Sequence, residues 1–233
     1  DNPKFLNDIK YSMKNFICIT LFFLSMYYFI KFFIWYLGDE KMIIENAMAL
    51  AMYGSLPLFI MIFLTHIFFY PKNNDDHAKV ISFPPMIMLF SANLAFFIGA
   101  INRYQLQIYE FPKYFDFLRS PSIGLLLIFL AITIISIAIK QFKIIDEDPM
   151  PTSASQNLIE GNIYQWTRNP MYLGLLIFQI GLGIALKFIH ITLFAILTFF
   201  IFDYYVIRRE ERYLEGKFKD KYSIYKNKVR RWL

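Results

Sequence analysis

Residues 171–207 read MYLGLLIFQIGLGIALKFIHITLFAILTFFIFDYYVI. This stretch contains two apolar blocks, Met171 to Leu186 and Ile189 to Ile207, which are separated by only Lys187 and Phe188. A bilayer core about 30 Å thick needs about 20 apolar residues in a helix that crosses it. The two blocks therefore predict a tight hairpin of two transmembrane helices with its tip at Lys187.

Four further apolar stretches come before this hairpin. The whole chain is 57% hydrophobic, 20% aromatic and only 18% charged, whereas about a quarter of the residues in soluble domains are charged. We therefore predict an all-α membrane protein with about six transmembrane helices. The four earlier spans are predicted at Asn15 to Leu37, Met42 to Tyr70, Val80 to Ile101 and Pro121 to Phe142.

The length of 233 residues fits a single membrane domain. In this prediction residues 1–142 form a four-span part, and residues 143–233 form the functional core. The chain has one cysteine, Cys18, which excludes an internal disulfide and a cysteine metal cluster. Because the three histidines have no recognisable ligand partners in the sequence, we also predict no metal site.

Positive charge is concentrated near the C-terminal end of the chain. Residues 208 to 231 hold ten Lys and Arg against four Asp and Glu, whereas the rest of the chain is neutral, with fourteen of each sign. An excess of Lys and Arg beside a transmembrane helix marks the cytoplasmic side. We therefore predict a cytoplasmic C-terminus and, with six spans, a cytoplasmic N-terminus, which agrees with Lys4, Lys10 and Lys14.

The basic tail also carries an apolar stripe at helical spacing, which predicts an amphipathic helix lying along the membrane interface. Because the tail is tethered to a bilayer, its charge favours anionic lipid headgroups over nucleic acid as partners. The stripe consists of Leu214, Phe218, Tyr222, Tyr225, Val229 and Trp232.

The loop before the hairpin and the start of the first hairpin helix read DEDPMPTSASQNLIEGNIYQWTRNPMYLG, residues 146 to 174. Asn169-Pro170 is a typical pair for the N-cap and the first position of a helix. The N-terminus of a helix offers backbone N–H groups and partial positive charge, which suit a carboxylate. Simpler explanations are open: Arg168 as a membrane anchor, and Tyr164 as an interfacial aromatic residue.

The sequence VIRREERYL, residues 206 to 214, follows the hairpin. Glu210 and Glu211 can be helix partners of the neighbouring bases. However, the hairpin returns them to the membrane face that carries Arg168, where a carboxylate can hold a cationic group of a ligand. Asp203 lies near the end of the last span, and it is predicted either to be functional or to pair with a base such as Arg168.

Two motifs together resemble a known enzyme family. The first is GxIYxxxRNPMYLG from Gly161 to Gly174, and the second is EExxLxxxFxxxYxxYxxxVxxW from Glu210 to Trp232. Their order and spacing resemble the isoprenylcysteine carboxyl methyltransferase and phospholipid methyltransferase superfamily. The resemblance implies an integral membrane methyltransferase that binds S-adenosyl-L-methionine on the cytoplasmic face and takes a lipidic or prenylated acceptor from the bilayer.

Carried over by position, the resemblance also implies site residues. Arg168 and Glu211 are the candidate catalytic residues. Arg168, or alternatively Arg208 or Arg209, would bind the substrate, and Glu211 would act as a base for an amine or thiol acceptor. The implied cofactor contacts are Gln156, Asn157, Leu158, Ile159, Tyr164, Asn169, Pro170, Met171, Tyr172 and Glu210.

The chain departs from the family pattern at three positions. Asn169 stands where His is frequent, and Lys219 stands where Gly is common. Val206 stands where the isoprenylcysteine enzymes place an arginine for the substrate carboxylate. The favoured reaction is methylation of an isoprenylcysteine carboxyl group, with phospholipid or small-thiol methylation as alternatives.

Two other classes of function are open at this stage. A membrane sterol or enone reductase that uses NADPH ends in a similar R-x-P-x-Y element, but it usually has Asn-Tyr after the proline, where this chain has Met171-Tyr172. A small transporter or membrane adaptor would carry polar groups in the first four spans, which offer few.

Overall fold

The computed structural model describes residues 3–38, 44–71 and 76–233, and within these ranges it is helical without a β-strand. The all-α prediction is therefore confirmed for the described part of the chain. The predicted start of the second span, Met42, lies outside the described residues. The α-helices are α1 Pro3–Leu37, α2 Ile44–Phe69, α3 Pro84–Ile101, α4 Pro121–Ile144, α5 Pro170–Ala185, α6 Ile189–Ile201 and α7 Arg208–Lys228.

Five helical segments of the described chain are long and apolar enough to cross a membrane. They contain α1, α2, α3, α4 and α6, and the segment of α6 runs on into α7. The sixth predicted span is the shorter apolar helix α5, which has 16 residues. At about 1.5 Å per residue α5 is roughly 24 Å long, so it is shorter than the apolar core of a typical bilayer.

The α5–α6 hairpin turns within three residues, as predicted. Lys187 at its tip has a left-handed backbone with φ of 54°. The N–H of Phe188 donates to the carbonyl of Gly183 at 2.8 Å, which closes the turn. A side chain at Gly183 would lie 2.5 Å from the backbone nitrogen of Thr192, so only glycine allows the two helices to approach this closely.

Small residues also hold α4 against α5. A side chain at Gly124 would lie 2.2 Å from the backbone nitrogen of Ala185, and one at Gly181 would lie 2.9 Å from the carbonyl oxygen of Gly124. Because α4 and α5 pack along their length, the loop that joins them is brought back over the end of the bundle. This loop, residues 145–169, contains most of the predicted site.

Contacts at the two ends of the bundle show which connections share a face. At one end, Tyr36 at the end of α1 donates to the carbonyl of Lys187 at the hairpin tip, at 3.1 Å. At the other end, Lys217 of α7 pairs with Asp76 of the α2–α3 connection at 2.8 Å. The loop 145–169 and α7 lie at this second end, which we name the site face.

The tail differs from its prediction. A wider π-helical turn, Phe202–Ile207, joins α6 directly to α7, and α7 is kinked at Lys219, whose φ is 45° and ψ is −120°. The helix ends at Lys228, so Val229 and Trp232 are not part of it. Two residues of the apolar stripe, Tyr222 and Tyr225, are buried against the protein.

Candidate functional site

One pocket on the site face collects almost all the residues predicted to bind a cofactor. It encloses about 640 Å³ of empty space, a figure that includes the open solvent at its mouth. Nine of the ten predicted cofactor contacts line it, and Gln156 is the exception. Arg168 and Glu211 line it as well. The lining residues that the sequence did not single out for the site are Phe142, Ser155, Leu214, Tyr222 and Tyr225.

The first turn of α5 forms one wall of the pocket. The helix begins at Pro170 with Asn169 before it, as predicted, but the Asn169 side chain makes no capping bond to the helix. Its amide instead donates to the carbonyl of Arg231 at 2.9 Å. Met171 and Tyr172 line the pocket, and their N–H groups have no side-chain cap. Free N–H groups at a helix start suit an anionic ligand group.

Tyr172 and Glu210 meet across the pocket. The buried phenol of Tyr172 donates to the Glu210 carboxylate at 2.8 Å. No ion pair among the described residues includes Glu210, although it is partly buried. An ionised carboxylate withdrawn from water is unfavourable without a positive partner. Glu210 is therefore suited to hold a cationic group of a ligand.

Tyr164 presents a hydroxyl group to the same pocket. Its side chain is 6% exposed, and its hydroxyl has no hydrogen-bond partner in the described structure. Burial raises the pKa of the Tyr164 phenol well above its ordinary value, so the phenol stays neutral. Because buried polar groups in proteins are nearly always paired, this hydroxyl marks a place where a ligand atom can accept a hydrogen bond.

Glu211, next to Glu210, has a different environment. Its carboxylate receives Nη2 of Arg168 at 2.7 Å and Nη2 of Arg231 at 2.6 Å. The Glu211 and Arg168 side chains are 7% and 8% exposed. A buried carboxylate between two guanidinium groups is stabilised as an anion and is a poor proton acceptor. The geometry supports a positioning role for Glu211, and its predicted role as a base remains untested.

The tail residues 229–232 contact the end of the loop just before α5. Nη1 of Arg168 donates to the carbonyls of Lys226 at 2.9 Å and Val229 at 2.6 Å, and the Arg168 N–H donates to the carbonyl of Arg230 at 3.0 Å. The hydroxyl of Thr167 donates to the carbonyl of Arg231 at 3.0 Å. These bonds explain why the chain leaves the helical conformation after α7.

Asp203 anchors the same tail from the hairpin. It pairs with Arg231 at 3.2 Å and with Arg208 at 3.1 Å, and it receives the indole N–H of Trp232 at 3.1 Å. The predicted partner Arg168 is therefore wrong, because Arg168 is engaged by Glu211. Asp203 does form an ion pair, as the alternative to a functional role predicted, but its partners are Arg208 and Arg231.

Glu147 organises the loop and was missed by the sequence reasoning. Its carboxylate receives the backbone N–H groups of Gln156 at 2.9 Å and Asn157 at 2.6 Å. The side-chain amide of Asn157 also donates to it at 3.0 Å. No periodic pattern links these positions, so only the folded loop reveals the contact. Tyr222 and Tyr225 had a signal, their place in the apolar stripe.

Part of this chain is similar to known proteins. Residues 120–221 match the family described as phospholipid methyltransferase, and this region contains α4, the loop, the hairpin and most of α7. An uncharacterized protein of Haemophilus influenzae is 42% identical over 67 residues, which make up 27% of this chain and all of that protein. No solved structure matches the chain.

Proposed function

Because this chain belongs to the isoprenylcysteine and phospholipid methyltransferase superfamily, we propose that it transfers a methyl group from S-adenosylmethionine to a lipidic acceptor in the membrane. Membership implies a membrane methyltransferase that acts on lipid-type substrates. The cofactor and the acceptor are the proposed parts. The observation that carries them is the convergence, in one pocket, of an uncapped helix start and a carboxylate outside any described ion pair.

The pocket fits the chemistry of S-adenosylmethionine group by group. The N–H groups of Met171 and Tyr172 would bind its carboxylate, and Glu210 would bind its ammonium group. The Tyr164 hydroxyl would donate to an oxygen or a ring nitrogen. Apolar Leu158 offers a surface for the adenine ring. The assignment gives a ligand partner to the uncapped N–H groups, to the Glu210 carboxylate and to the unpaired Tyr164 hydroxyl.

When bound, S-adenosylmethionine would supply an electrophilic methyl group. The protein residues hold and orient the reactants, which is the main requirement of a direct displacement. Tyr172 fixes the Glu210 carboxylate by its hydrogen bond, and the ion pairs of Glu211 fix Arg168 and the tail. The shape of the site therefore depends on contacts between elements that are distant in sequence.

The charged residues that line the pocket indicate which chemical class of methyl acceptor it suits. Arg168 is the one cation among the described lining residues, and its donors go to Glu211 and to tail carbonyls. Val206, at the position of the family's substrate arginine, is fully buried among apolar residues. The pocket therefore supports an acceptor without a carboxylate, such as an aminophospholipid, over the isoprenylcysteine carboxyl group that the sequence favours.

The cofactor assignment is tested by calorimetric titration of S-adenosylmethionine into the detergent-purified chain. We expect Glu210→Gln to weaken binding about tenfold or more, because a charge-assisted hydrogen bond is lost. Glu215→Gln is the matched control, since Glu215 pairs with Lys226 outside the pocket. Equal affinities for wild type and Glu210→Gln would refute the assignment of Glu210. Protection against unfolding by NADPH alone would favour the reductase.

The acceptor is tested by turnover with radiolabelled S-adenosylmethionine in the presence of a prenylcysteine, an aminophospholipid or a small thiol. The pocket charges predict label in the aminophospholipid. Label in the prenylcysteine ester would instead show that a base outside the described pocket lining binds the acceptor carboxylate.

A further inference from the structure

A second pocket lies on the site face, on the other side of α7. It encloses about 810 Å³ of empty space including its open mouth, and its lining contains three bases. We name it the basic pocket. It lies between the start of α7 and the α2–α3 connection, and its lining residues are His77, Lys79, Arg209, Arg212 and Tyr213.

The first turns of α7 separate charge by face. We name the first pocket, which contains Tyr164, Tyr172 and Glu210, the cofactor pocket. Glu210, Glu211 and Leu214 line the cofactor pocket, whereas Arg209 and Arg212 line the basic pocket. Residues three apart on a helix lie on one side, so the two arginines line the same pocket. No acid is among the described lining residues of the basic pocket. The pocket is therefore electrostatically suited to an anion.

The two arginines keep donors available for a ligand. Arg209 donates Nη1 to the carbonyl of Lys79 at 2.9 Å, which orients its guanidinium group. Arg212 donates Nε to the carbonyl of Arg208 one turn earlier. Neither arginine is in an ion pair among the described residues, and the nearby Asp76 is engaged by Lys217 and Tyr213. Guanidinium groups of this kind bind phosphate through paired N–H groups.

The surroundings of the pocket indicate the depth of lipid headgroups. The apolar segment of α6 and its π-helical turn end at Ile207, two residues before Arg209. The Arg209 guanidinium lies 6.0 Å from the ring of Tyr205, which is half exposed on the outer side of the bundle. Exposed tyrosines are typical of the membrane–water interface, and basic pockets beside transmembrane helices bind lipid headgroups.

We infer that the basic pocket binds the phosphate of an anionic membrane lipid. This inference concerns binding and does not rest on the methyl-transfer proposal. It also has a structural consequence for the cofactor pocket. Tyr213 of the basic pocket accepts the backbone N–H of Ser155 at 3.2 Å, and Ser155 lines the cofactor pocket. A bound lipid would therefore steady the loop and the start of α7 together.

The experiment is a titration of a short-chain phosphatidylglycerol into the full chain held in phosphatidylcholine nanodiscs. We expect Arg209→Gln with Arg212→Gln to weaken binding about tenfold or more, because two charged donors are lost. The matched control is Lys221→Gln with Lys228→Gln, which removes equal charge from α7 outside the pocket. The control pair is expected to change affinity less than about threefold, as exposed charges do.

Two further measurements complete the test, beside the outcomes of the first titration. Equal weakening in both double variants would show diffuse attraction to the basic tail and would overturn the inference. Unchanged affinity in both double variants would overturn it as well. Inorganic phosphate at the same concentrations must give no comparable binding, because equal binding would indicate a free phosphate site. If the first double variant does not fold, Arg212→Gln alone replaces it and must still weaken lipid binding about threefold. This variant is expected to fold, because among the described residues the Arg212 side chain bonds only to the Arg208 carbonyl of its own helix.

Discussion

Tyr164 places an unpaired hydroxyl in a buried position, an arrangement that is unfavourable in the ligand-free protein. We expect Tyr164→Phe to leave the free energy of unfolding of the ligand-free protein unchanged or to raise it by up to about 1 kcal/mol. The same change should weaken S-adenosylmethionine about three- to tenfold, because the bound state loses a hydrogen bond. Thermal unfolding and calorimetric titration measure the two effects.

Tyr204→Phe is the control for this residue, because Tyr204 is half exposed and lies outside the pocket. It should alter neither quantity. A loss of stability in Tyr164→Phe without a loss of affinity would show that the hydroxyl has a structural partner and not a ligand partner.

Arg231 joins two buried acids, Glu211 and Asp203, to the tail. Its side chain is 29% exposed, so the full cost of breaking a buried ion pair is reduced by solvent. We expect Arg231→Gln to lower the free energy of unfolding by about 2 kcal/mol. Arg230→Gln should change it by less than about 0.5 kcal/mol, because the Arg230 side chain is exposed. Denaturant unfolding in detergent distinguishes the two, and equal effects would contradict the network.

For single residues, the sequence predicted which side chains belong to the site better than it predicted their hydrogen-bond and ion-pair partners. The hairpin argument placed Arg168 and Glu211 on one face, and the structure joins them at 2.7 Å. Arg231 was not foreseen, because its approach depends on the extended backbone at Val229, which no local motif signals. The Asn169 side chain was misassigned for the same reason, since its partner is the Arg231 carbonyl.

Helix α7 contains a strained position. Lys219 has a φ of 45° and a ψ of −120°, a conformation that favours glycine. We expect Lys219→Gly to raise the free energy of unfolding by about 1 kcal/mol. Lys221→Gly, two residues later in regular helix, should lower it by up to about 1 kcal/mol. Opposite signs in thermal unfolding would support the kink, and destabilisation by both would show that α7 is straight.

The kink also gives a physical meaning to a departure noticed in the sequence. Glycine is common in the family at the position of Lys219, and the backbone there is of the type that glycine adopts without strain. Helix α7 turns at this point, which brings Tyr222 and Tyr225 over the pocket. The helical stripe predicted that these residues contact the membrane interface, and it predicted neither the turn nor their burial against the protein.

The sequence predicted the existence of the strongly apolar helices well, and it predicted the residues at which they begin and end less well. The hairpin followed from length and from the short connection between its blocks. The length of α5 did not follow from the sequence, because hydropathy predicts a full span from Met171 to Leu186, whereas the helix has 16 residues and eight of them are buried against the protein. The π-helical turn Phe202–Ile207 also has no sequence signal, and it contains Asp203, whose partner Arg231 lies 28 residues further along the chain.

The placement of the whole molecule in the membrane is a prediction from charge. In a Cys18→Ser background, we expect a membrane-impermeant maleimide to label Lys113→Cys on intact cells. Lys221→Cys on the site face should react only after permeabilisation. Both lysines are exposed, and they lie at opposite ends of the bundle. The reverse pattern would invert the orientation, and labelling of both on intact cells would contradict the three crossings, by α4, α5 and α6, that are predicted between them.

The pairing of the loop with the tail also fixes when the pocket can form. Arg168 is synthesised well before Lys226, Val229 and Arg231, which hold it and its partner Glu211. The hairpin can therefore enter the bilayer while the loop is still open. A nascent chain halted before Val229 would be anchored but unable to close the pocket. We therefore expect the proposed methyl transfer to appear only after translation of the tail.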